Sequence, residues 1–432
     1  MTWRSGGAGG LFRRAAVDTR PLRDHDYRRL WLGQGVSAIG FQLTSVAVPL
    51  QTYALTHSSF WVGMLGFANL VPLVIFGLWG GAVADAMDRR RLLLIASMIT
   101  WISTVALLAQ TLFGVHSVGV LMAIVVVQSI GFAISSPTRG AIIPRLLPVE
   151  LVPAANTLNF TVQQLATVIG PLIAGGLLGA IGGYTGYAVA YGIDAALFTV
   201  GLYAAVRLPR LPPLSGMVGR PGLKAVIEGL AFLGTRPVLL MSFVVDIIAM
   251  VFAMPRALYP EVSETEFGGP GAAGWLFASI SIGSVIAGLF SGWIGRVHRQ
   301  GLALVVAIVA WGVAVAFAGF AHSLWMAVLL MAVAGAADLI SAVYRQTILQ
   351  TYAPDEMRGR LQGVFIVVVA GGPRLGDLRA GVMATAVGAT ASWVGGGVLC
   401  VVLVVIVAAL VPSFLRYDTR RDLPPRDGSQ QS

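Results

Sequence analysis

The chain has 432 residues, of which 56% are apolar and only 11% are charged. Because soluble domains carry about 25% charged residues, this composition excludes a soluble globular protein and indicates a membrane protein. The net charge of +10 could suit nucleic acid, but the basic residues gather at the termini and in alternate loops, so we expect no nucleic-acid partner.

Long apolar segments recur along the chain at the length that crosses a bilayer. About 20 helical residues span a hydrocarbon core of roughly 30 Å, and lipid offers no partner to unpaired backbone groups, so these segments must be helical. We therefore predict an all-α membrane protein with 12 transmembrane helices. The predicted spans lie near residues 31–54, 60–84, 92–113, 118–138, 154–180, 184–206, 237–258, 271–294, 301–320, 323–344, 361–387 and 390–413.

Basic residues are unevenly divided between the two sets of loops that these spans create. All but three of the 29 basic residues lie at the termini or in the loops on one side, and the exceptions are Arg256, Arg374 and Arg379. This positive-inside asymmetry predicts cytoplasmic termini and a multi-pass protein of the plasma (inner) membrane. Anionic membrane lipids are the expected partners of the basic termini. Lys224 is the sole lysine, which indicates a GC-rich bacterial genome.

The sequence repeats itself at an offset of 206 residues. The dipeptide His-Ser at 116–117 recurs at 322–323, and Arg139 corresponds to Arg345. Internal repeats of this size are typical of transporters built from two similar helical bundles. The predicted organisation is a cytoplasmic N-terminal tail (1–30), a first six-helix bundle (31–207), a cytoplasmic linker (208–236), a second six-helix bundle (237–413) and a cytoplasmic tail (414–432).

Two glycine-containing motifs match known transporter motifs. GGAVADAMDRRRLLL (80–94) resembles the signature loop of the major facilitator superfamily of secondary transporters, although Ala86 and Asp88 depart from its pattern. GPLIAGG (170–176) resembles the helix 5 motif of antiporters in that superfamily. The resemblance implies the major facilitator fold with two homologous six-helix bundles, and it favours export over import. It assigns gating or conformational roles to Gly81, Asp85, Arg89, Arg90, Gly170, Pro171 and Gly175.

Further segments in both halves resemble one branch of the superfamily, the enterobactin exporters. They are VAVPLQTYALTHSSFWVGM (46–64), ALYPEVSE (257–264) and ILQTYAPDEMRGRLQGVF (348–365). This resemblance implies efflux of a small molecule, a siderophore before other cargoes, driven by the proton motive force through alternating access. A multidrug or macrolide-type efflux pump is the alternative, because related members of the branch export such drugs. A nutrient importer and a membrane scaffold without transport are lesser alternatives.

Charged residues inside the predicted helices are candidates for proton coupling or substrate binding. An ionised group at the bilayer centre costs at least about 2.5–3.5 kcal/mol, so each one should face protein or water. Asp246 and Asp338 lie in the seventh and tenth spans, and the resemblance implies that these spans line a central cavity. We predict that both bind protons or substrate, with helix packing alone as the alternative. Asp194, in the sixth span, is expected to be structural.

Three charges interrupt the eleventh span. Arg374 and Asp377 are three residues apart, so they share a helix face and can pair. That pairing leaves one arginine in excess, and arginine suits forked binding of carboxylate or phenolate oxygens. We predict that Arg374, Asp377 and Arg379 serve proton coupling or the binding of an anionic cargo. The alternatives are a pair that only joins the two halves, and an Arg379 that reaches the outer headgroups.

The sequence contains no enzyme motif of the HExxH or GxSxG type, and the single Cys400 excludes an intrachain disulfide. We therefore expect a secondary active transporter and not an enzyme. No cofactor and no metal site are expected. The expected partners are a small-molecule cargo, protons and lipids, and the expected oligomeric state is a monomer.

Overall fold

The computed structural model describes residues 18–212, 223–352 and 355–418, without the side chains of 77–86, 223–226, 352, 355–356, 358–360 and 366. The secondary structure of these residues is helical. Short 3-10 turns lie at Arg20–Arg23, Val149–Leu151, Arg256–Leu258 and Ser291–Arg296. The α-helices are α1 (His25–Thr56), α2 (Ser59–Ala86), α3 (Arg89–Leu112), α4 (Val118–Leu146), α5 (Val152–Ile181), α6 (Gly183–Val206), α7 (Leu223–Gly234), α8 (Pro237–Phe252), α9 (Tyr259–Thr265), α10 (Pro270–Leu289), α11 (Gln300–Ala318), α12 (Leu324–Tyr352), α13 (Asp355–Val387), α14 (Ala389–Leu410) and α15 (Pro412–Leu415).

Eleven segments in the described part of the chain are long and apolar enough to cross a membrane. One of them runs from Pro237 to Thr265 and contains both α8 and α9. The first helix, α1, has 32 residues and is also long enough, but it carries charged residues in its first turns and several glutamines. The prediction of an all-α membrane protein is confirmed, and the expected 12 spans agree with these eleven segments and α1.

The predicted seventh span, 237–258, is not one continuous helix. α8 ends at Phe252, and a 3-10 turn over Arg256–Leu258 precedes α9. Pro255 lies in this gap, where its ring disfavours helical geometry in the residue before it and its nitrogen has no hydrogen to donate. The break turns the side chain of Arg256 toward the interior of the molecule.

Aspartates cap two helices on the face where both described chain ends lie, which we call the terminal face. Asp24 caps α1 by accepting hydrogen bonds from the backbone of Asp26 and Tyr27. Asp88 caps α3 in the same way, accepting from the backbone of Arg90 at 2.9 Å. Such a cap stabilises a helix by about 1 kcal/mol, which gives the departure of Asp88 from the superfamily loop a structural reason.

The offset of 206 residues is visible in the helix bounds. α4 and α12 begin and end 206 residues apart, and α6 and α14 begin 206 residues apart. Each of the last two helices follows a glycine with positive φ, 69° at Gly182 and 87° at Gly388, a conformation that glycine adopts without steric cost. Both halves of the chain are therefore built on one helical pattern.

The two halves touch through glycines near the far face, opposite the terminal face. α2 packs against α13, and α5 packs against α10. A Cβ atom on Gly63 would collide with the carbonyl oxygen of Asp377, and one on Gly175 would lie 2.6 Å from the Cα of Gly274. Helices in membranes approach this closely only where side chains are small. The halves are thus in close backbone contact at the far face.

Candidate functional site

A cavity of about 350 Å³ lies between the two halves. Its wall in the first half comes from α1, α2, α4 and α5, and its wall in the second half comes from the Arg256–Leu258 turn, α10 and α13. The two walls differ in chemistry. The first offers uncharged polar side chains, among them Gln42, Asn69 and Gln128, whereas the second offers Arg256, Arg374 and Asp377.

The charged wall carries one more cation than anion. Asp377 is 6% exposed, and its Oδ1 atom has no hydrogen-bond partner among the described residues. The Nε atom of Arg256 also has no hydrogen-bond partner among the described residues. Arg374 and Asp377 share a helix face as predicted, but the ion pairs within the described residues do not include them. Both side chains line the cavity, where Asp377 also accepts a hydrogen bond from the backbone of Ala257 and interacts with Arg256 and Arg374.

Aromatic rings supply the apolar part of the cavity. Phe41 and Phe132 line it and stack with centroids 5.2 Å apart and nearly parallel planes. Phe277 lines the opposite wall and meets Tyr259 edge-on, with centroids 5.1 Å apart. Flat rings beside positive charge can hold an aromatic ligand by stacking and by charge together.

Arg379 lies outside this cavity lining and binds backbone carbonyls. Its Nε atom donates to Val251 at 3.3 Å, Nη1 donates to Ser392 at 3.2 Å, and Nη2 donates to Phe252. Val251 and Phe252 end α8, where the last carbonyls of a helix lack partners and favour a cation. The guanidinium group of Arg379 thus connects the end of α8 to α13 and α14. The role that the sequence predicts for Arg379 in cargo binding or proton coupling stays a prediction.

Asp246 and Asp338 meet at a residue that the sequence analysis did not select. Arg345, on α12, forms an ion pair with Asp246 through Nη1 and lies 3.9 Å from Asp338 Oδ1 through Nη2. Arg345 and Asp246 are buried, whereas the side chain of Asp338 is 31% exposed. Neither aspartate is among the described residues that line the cavity. Two acids that share one arginine leave one negative charge in excess.

The predicted gating residues are divided between two places. Gly81 and Asp85 fall among the side chains that the structure does not describe. On the terminal face, Arg89 donates to the carbonyl of Ala141 at 2.8 Å, and Arg90 donates to that of Val206 at 2.6 Å. These arginines join α3 to α4 and to the end of α6, so both contacts lie within the first half.

The three residues of the α5 motif lie at or beside the contact between the halves. Gly170 packs against Gln42 of α1, and Pro171 lines the cavity. The carbonyl of Pro171 also approaches Gly274, which in turn contacts Gly175. Gly175 and Gly274 are therefore in close backbone contact between the two halves, and the gating role of the motif stays a prediction.

Two functional candidates were missed, and each had a signal in the sequence. Arg256 is the only basic residue in the loops of the far face, and this exception to the charge pattern marks it. Arg345 was counted as a base of the terminal face because it lies near the end of an apolar segment. The structure places it inside the second half, because α12 continues to Tyr352.

The chain matches the family described as transmembrane secretion effector over residues 16–427. It therefore belongs to this family of the major facilitator superfamily, as the resemblance predicted, and it is a membrane transporter. Enterobactin exporter EntS of Shigella boydii serotype 18 and that of Escherichia coli O81 are each 28% identical to it over 399 residues. Each alignment covers 90% of this chain and 94% of the relative.

Solved structures agree in fold. The nucleoside transporter NupG matches with a TM-score of 0.72 and 13% identity, covering 91% of this chain and 100% of that one. A bacterial homologue of the human lysosomal transporter Spinster, in an inward-facing conformation, matches with a TM-score of 0.72 and 18% identity, covering 94% and 100%. These similarities confirm the major facilitator fold.

Proposed function

We propose that this transporter exports an aromatic, anionic or phenolic small molecule of the siderophore type from the cytoplasm, driven by the proton motive force. The observation that carries the proposal is the cavity wall in which Arg256 and Arg374 outnumber Asp377. The similarity to enterobactin exporters supports the same cargo class. The proposed location is the plasma (inner) membrane, with cytoplasmic termini.

The cavity has the size of a small-molecule site, and its chemistry suits such a cargo. A volume of about 350 Å³ lies within the range of small-molecule sites, about 300–1,000 Å³. Guanidinium groups donate paired hydrogen bonds to carboxylate or phenolate oxygens. The stacked rings of Phe41 and Phe132 offer apolar surface to the aromatic part of the cargo.

Alternating access would use the glycine contacts near the far face. With these contacts formed, the halves are closed on that side, and cargo enters from the terminal face, which we place in the cytoplasm. Separation of Gly63 from Asp377 and of Gly175 from Gly274 would open the route outward. Few side chains interdigitate at these glycine contacts between the halves, which suits a contact that must break and reform in each cycle.

Protons supply enough free energy for useful efflux. One charge moving through about 100 mV releases roughly 2.3 kcal/mol, which sustains a cargo gradient of roughly forty-fold at about 1.4 kcal/mol per decade. Asp246, Asp338 and Asp377 are the proposed coupling acids. Because Asp246 and Asp338 share Arg345, protonation of one leaves the arginine paired with the other.

The experiment uses inside-out membrane vesicles, in which respiration acidifies the interior. We expect iron-free enterobactin to accumulate in vesicles that contain the protein and to leave when a protonophore is added. Arg374→Gln removes a charged donor worth about 1.5–3 kcal/mol, so its KM should rise roughly ten- to hundred-fold. Arg207→Gln is the matched control, since Arg207 contacts the ring of Tyr203 outside the cavity. Gradient-independent leakage, or no accumulation at all, contradicts the proposal.

Efflux of lipophilic drugs is the second candidate, and the aromatic lining with its uncharged first wall favours it. The same vesicles distinguish the two. If a macrolide is accumulated and enterobactin is not, and Arg374→Gln leaves the macrolide KM unchanged, the protein is a drug exporter. Cargo accumulation in right-side-out vesicles under an inward proton gradient would instead identify an importer.

A further inference from the structure

Asp194 is a buried acid in the first half that the proposed function does not use. It lies in the middle of α6 and is 1% exposed. Its Oδ1 atom has no hydrogen-bond partner among the described residues. This oxygen faces Gly40 of α1, where a Cβ atom would lie only 2.5 Å from it. The absence of a side chain at Gly40 is what makes room for the carboxyl group.

The groups around Asp194 are uncharged. Its Oδ2 atom accepts hydrogen bonds from the hydroxyl of Thr44 on α1 at 2.6 Å and from that of Thr104 on α3 at 3.4 Å. The titratable group that interacts with it is Tyr191, one turn earlier on α6, whose hydroxyl donates to Gln51 at 2.7 Å. The ion pairs within the described residues do not include Asp194.

This setting differs from that of the acids in the second half. Asp246 faces the guanidinium of Arg345, and a nearby cation favours the ionised carboxylate. Asp194 has only hydroxyl donors, and burial without a counter-charge disfavours an ionised carboxylate. Of the two settings, that of Asp194 is the one in which a proton is gained without breaking an ion pair.

Two short routes connect Asp194 to the cavity. Thr44 lines the cavity and donates directly to Asp194. Gln128 also lines the cavity, and its amide donates to Thr104 at 3.1 Å, which in turn donates to Asp194. Only one or two side chains therefore separate the carboxyl group from a molecule in the cavity.

We infer that Asp194 is a proton-binding site of the transport cycle and that the hydroxyl of Thr44 couples the protonation state of Asp194 to cargo binding. The inference rests on the proposed proton-driven export and adds a residue to it. When Asp194 is ionised, the Thr44 hydroxyl donates to it, and Thr44 offers a lone pair to the cavity. When a proton binds Oδ2 of Asp194, that oxygen donates to Thr44, and the hydroxyl hydrogen of Thr44 turns toward the cavity.

This reversal makes protons and cargo compete. A cargo oxygen that has lost its proton is bound by the arginines, whereas a phenolic hydroxyl that keeps its hydrogen can donate it to Thr44. Thr44 accepts such a donor only while Asp194 is ionised, so proton binding weakens the binding of a cargo hydroxyl that donates to Thr44. Competition of this kind is what an antiporter needs, because protons bound at the far face then release the cargo there.

The test uses the full chain in proteoliposomes with a pH-sensitive dye inside and enterobactin as the probe. Asp194→Asn should still exchange enterobactin without a gradient. Its accumulation ratio under an imposed pH difference of about 1.6 units should fall from roughly forty-fold to about one, and its enterobactin-induced proton flux should disappear. Asp194→Glu should recover part of both. Thr44→Val should raise the KM and make it insensitive to pH. Thr385→Val removes a hydroxyl that donates a hydrogen bond to the carbonyl of Val382 in its own helix. This variant should change neither the KM nor its dependence on pH.

Each result has one meaning. A carboxylic acid C=O band in the infrared difference spectrum that appears on acidification, and is absent from Asp194→Asn, supports the assignment. Retained pH-driven accumulation in a folded Asp194→Asn protein overturns it. Accumulation that follows a sodium gradient and not a pH gradient makes this a sodium site and also overturns it. If the wild-type chain shows no pH-driven flux at all, the proposed function fails and this inference fails with it.

Discussion

Arg139 and Arg345 occupy equivalent positions in the two halves, yet their surroundings differ. Each donates from Nε to the carbonyl of the serine one turn earlier, at 3.4 Å in both cases. Arg139 also donates to the hydroxyl of Ser135 at 2.7 Å. Arg345 instead meets two aspartates, Asp246 and Asp338. The backbone contact is common to both halves, whereas the carboxylates belong to the second half alone.

The aspartates inside the membrane helices also differ between the two halves. Asp194 corresponds to Cys400 at the offset of 206 residues, and both are buried. Asp246 and Asp338 correspond to Gly40 and Phe132. None of these acids therefore has an acidic counterpart in the other half. Hence the helical scaffold is duplicated, while its ionisable residues are placed one by one. The two halves are expected to contribute different steps to one cycle.

The largest difference between the halves is expected when the arginine of each is removed. Arg345→Met leaves a buried carboxylate without a cation, which costs about 3–5 kcal/mol, so we expect a large fall in thermal stability and loss of export. Arg139→Met removes hydrogen bonds within one helix and should cost about 1 kcal/mol. Thermal unfolding in detergent measures both. Equal losses would contradict the asymmetry.

A finer test compares the two partners of Arg345. Asp246→Asn removes a buried charged partner worth about 1.5–3 kcal/mol. Asp338→Asn should cost less than about 1 kcal/mol, because Asp338 is more exposed and its pair is longer. Unfolding temperatures of the two variants and of the double variant measure the difference. A larger effect at Asp338 would reverse the order of the two contacts.

At the glycines between the halves, by contrast, the two halves should respond alike. Gly175 and Gly381 are equivalent, and a Cβ atom on either would lie within 2.6 Å of a backbone atom across the seam. Overpacking costs about 1–3 kcal/mol, so Gly175→Val and Gly381→Val should each shift the closed population roughly ten- to hundred-fold. Cysteine accessibility near the far face measures this shift. Gly176→Val is the control, since open space surrounds Gly176.

The smallest effect is expected at Cys400. Cys400→Ala removes one buried sulfur atom, at a cost of roughly 1 kcal/mol, and should leave cargo accumulation unchanged. Its equivalent, Asp194, should be essential for accumulation under a pH gradient. Transport and unfolding of Cys400→Ala test the contrast. Loss of export in this variant would show that the position matters in both halves.

The sequence was sufficient for the architecture because apolar length, charge asymmetry and the repeat each constrain whole helices. It was less informative at helix ends. The span predicted as 118–138 is a helix over Val118–Leu146, since a helix can continue beyond the apolar segment into polar surroundings. That continuation is what places Arg345 of the equivalent helix α12 near Asp246 and Asp338.

The candidate site was only partly predictable for a related reason. Arg374 and Asp377 were found because charges inside an apolar helix are conspicuous, and both line the cavity. Arg256 joins them only because helix α8 ends before Pro255 and the turn that follows points the side chain of Arg256 inward. Which charges meet depends on helix rotation and tertiary contact, and a linear pattern of residue types does not specify either.

The carbonyl contacts of Arg379 have a consequence for how cargo is carried. By holding the end of α8 to α13 and α14, Arg379 also fixes the short loop that bears Arg256 relative to the helix that bears Arg374. If the halves alternate as proposed, the two cationic groups are therefore expected to keep a constant spacing while the halves move. Cargo would stay bound to charged residues of the second half whose geometry is fixed, and the first half would move relative to them.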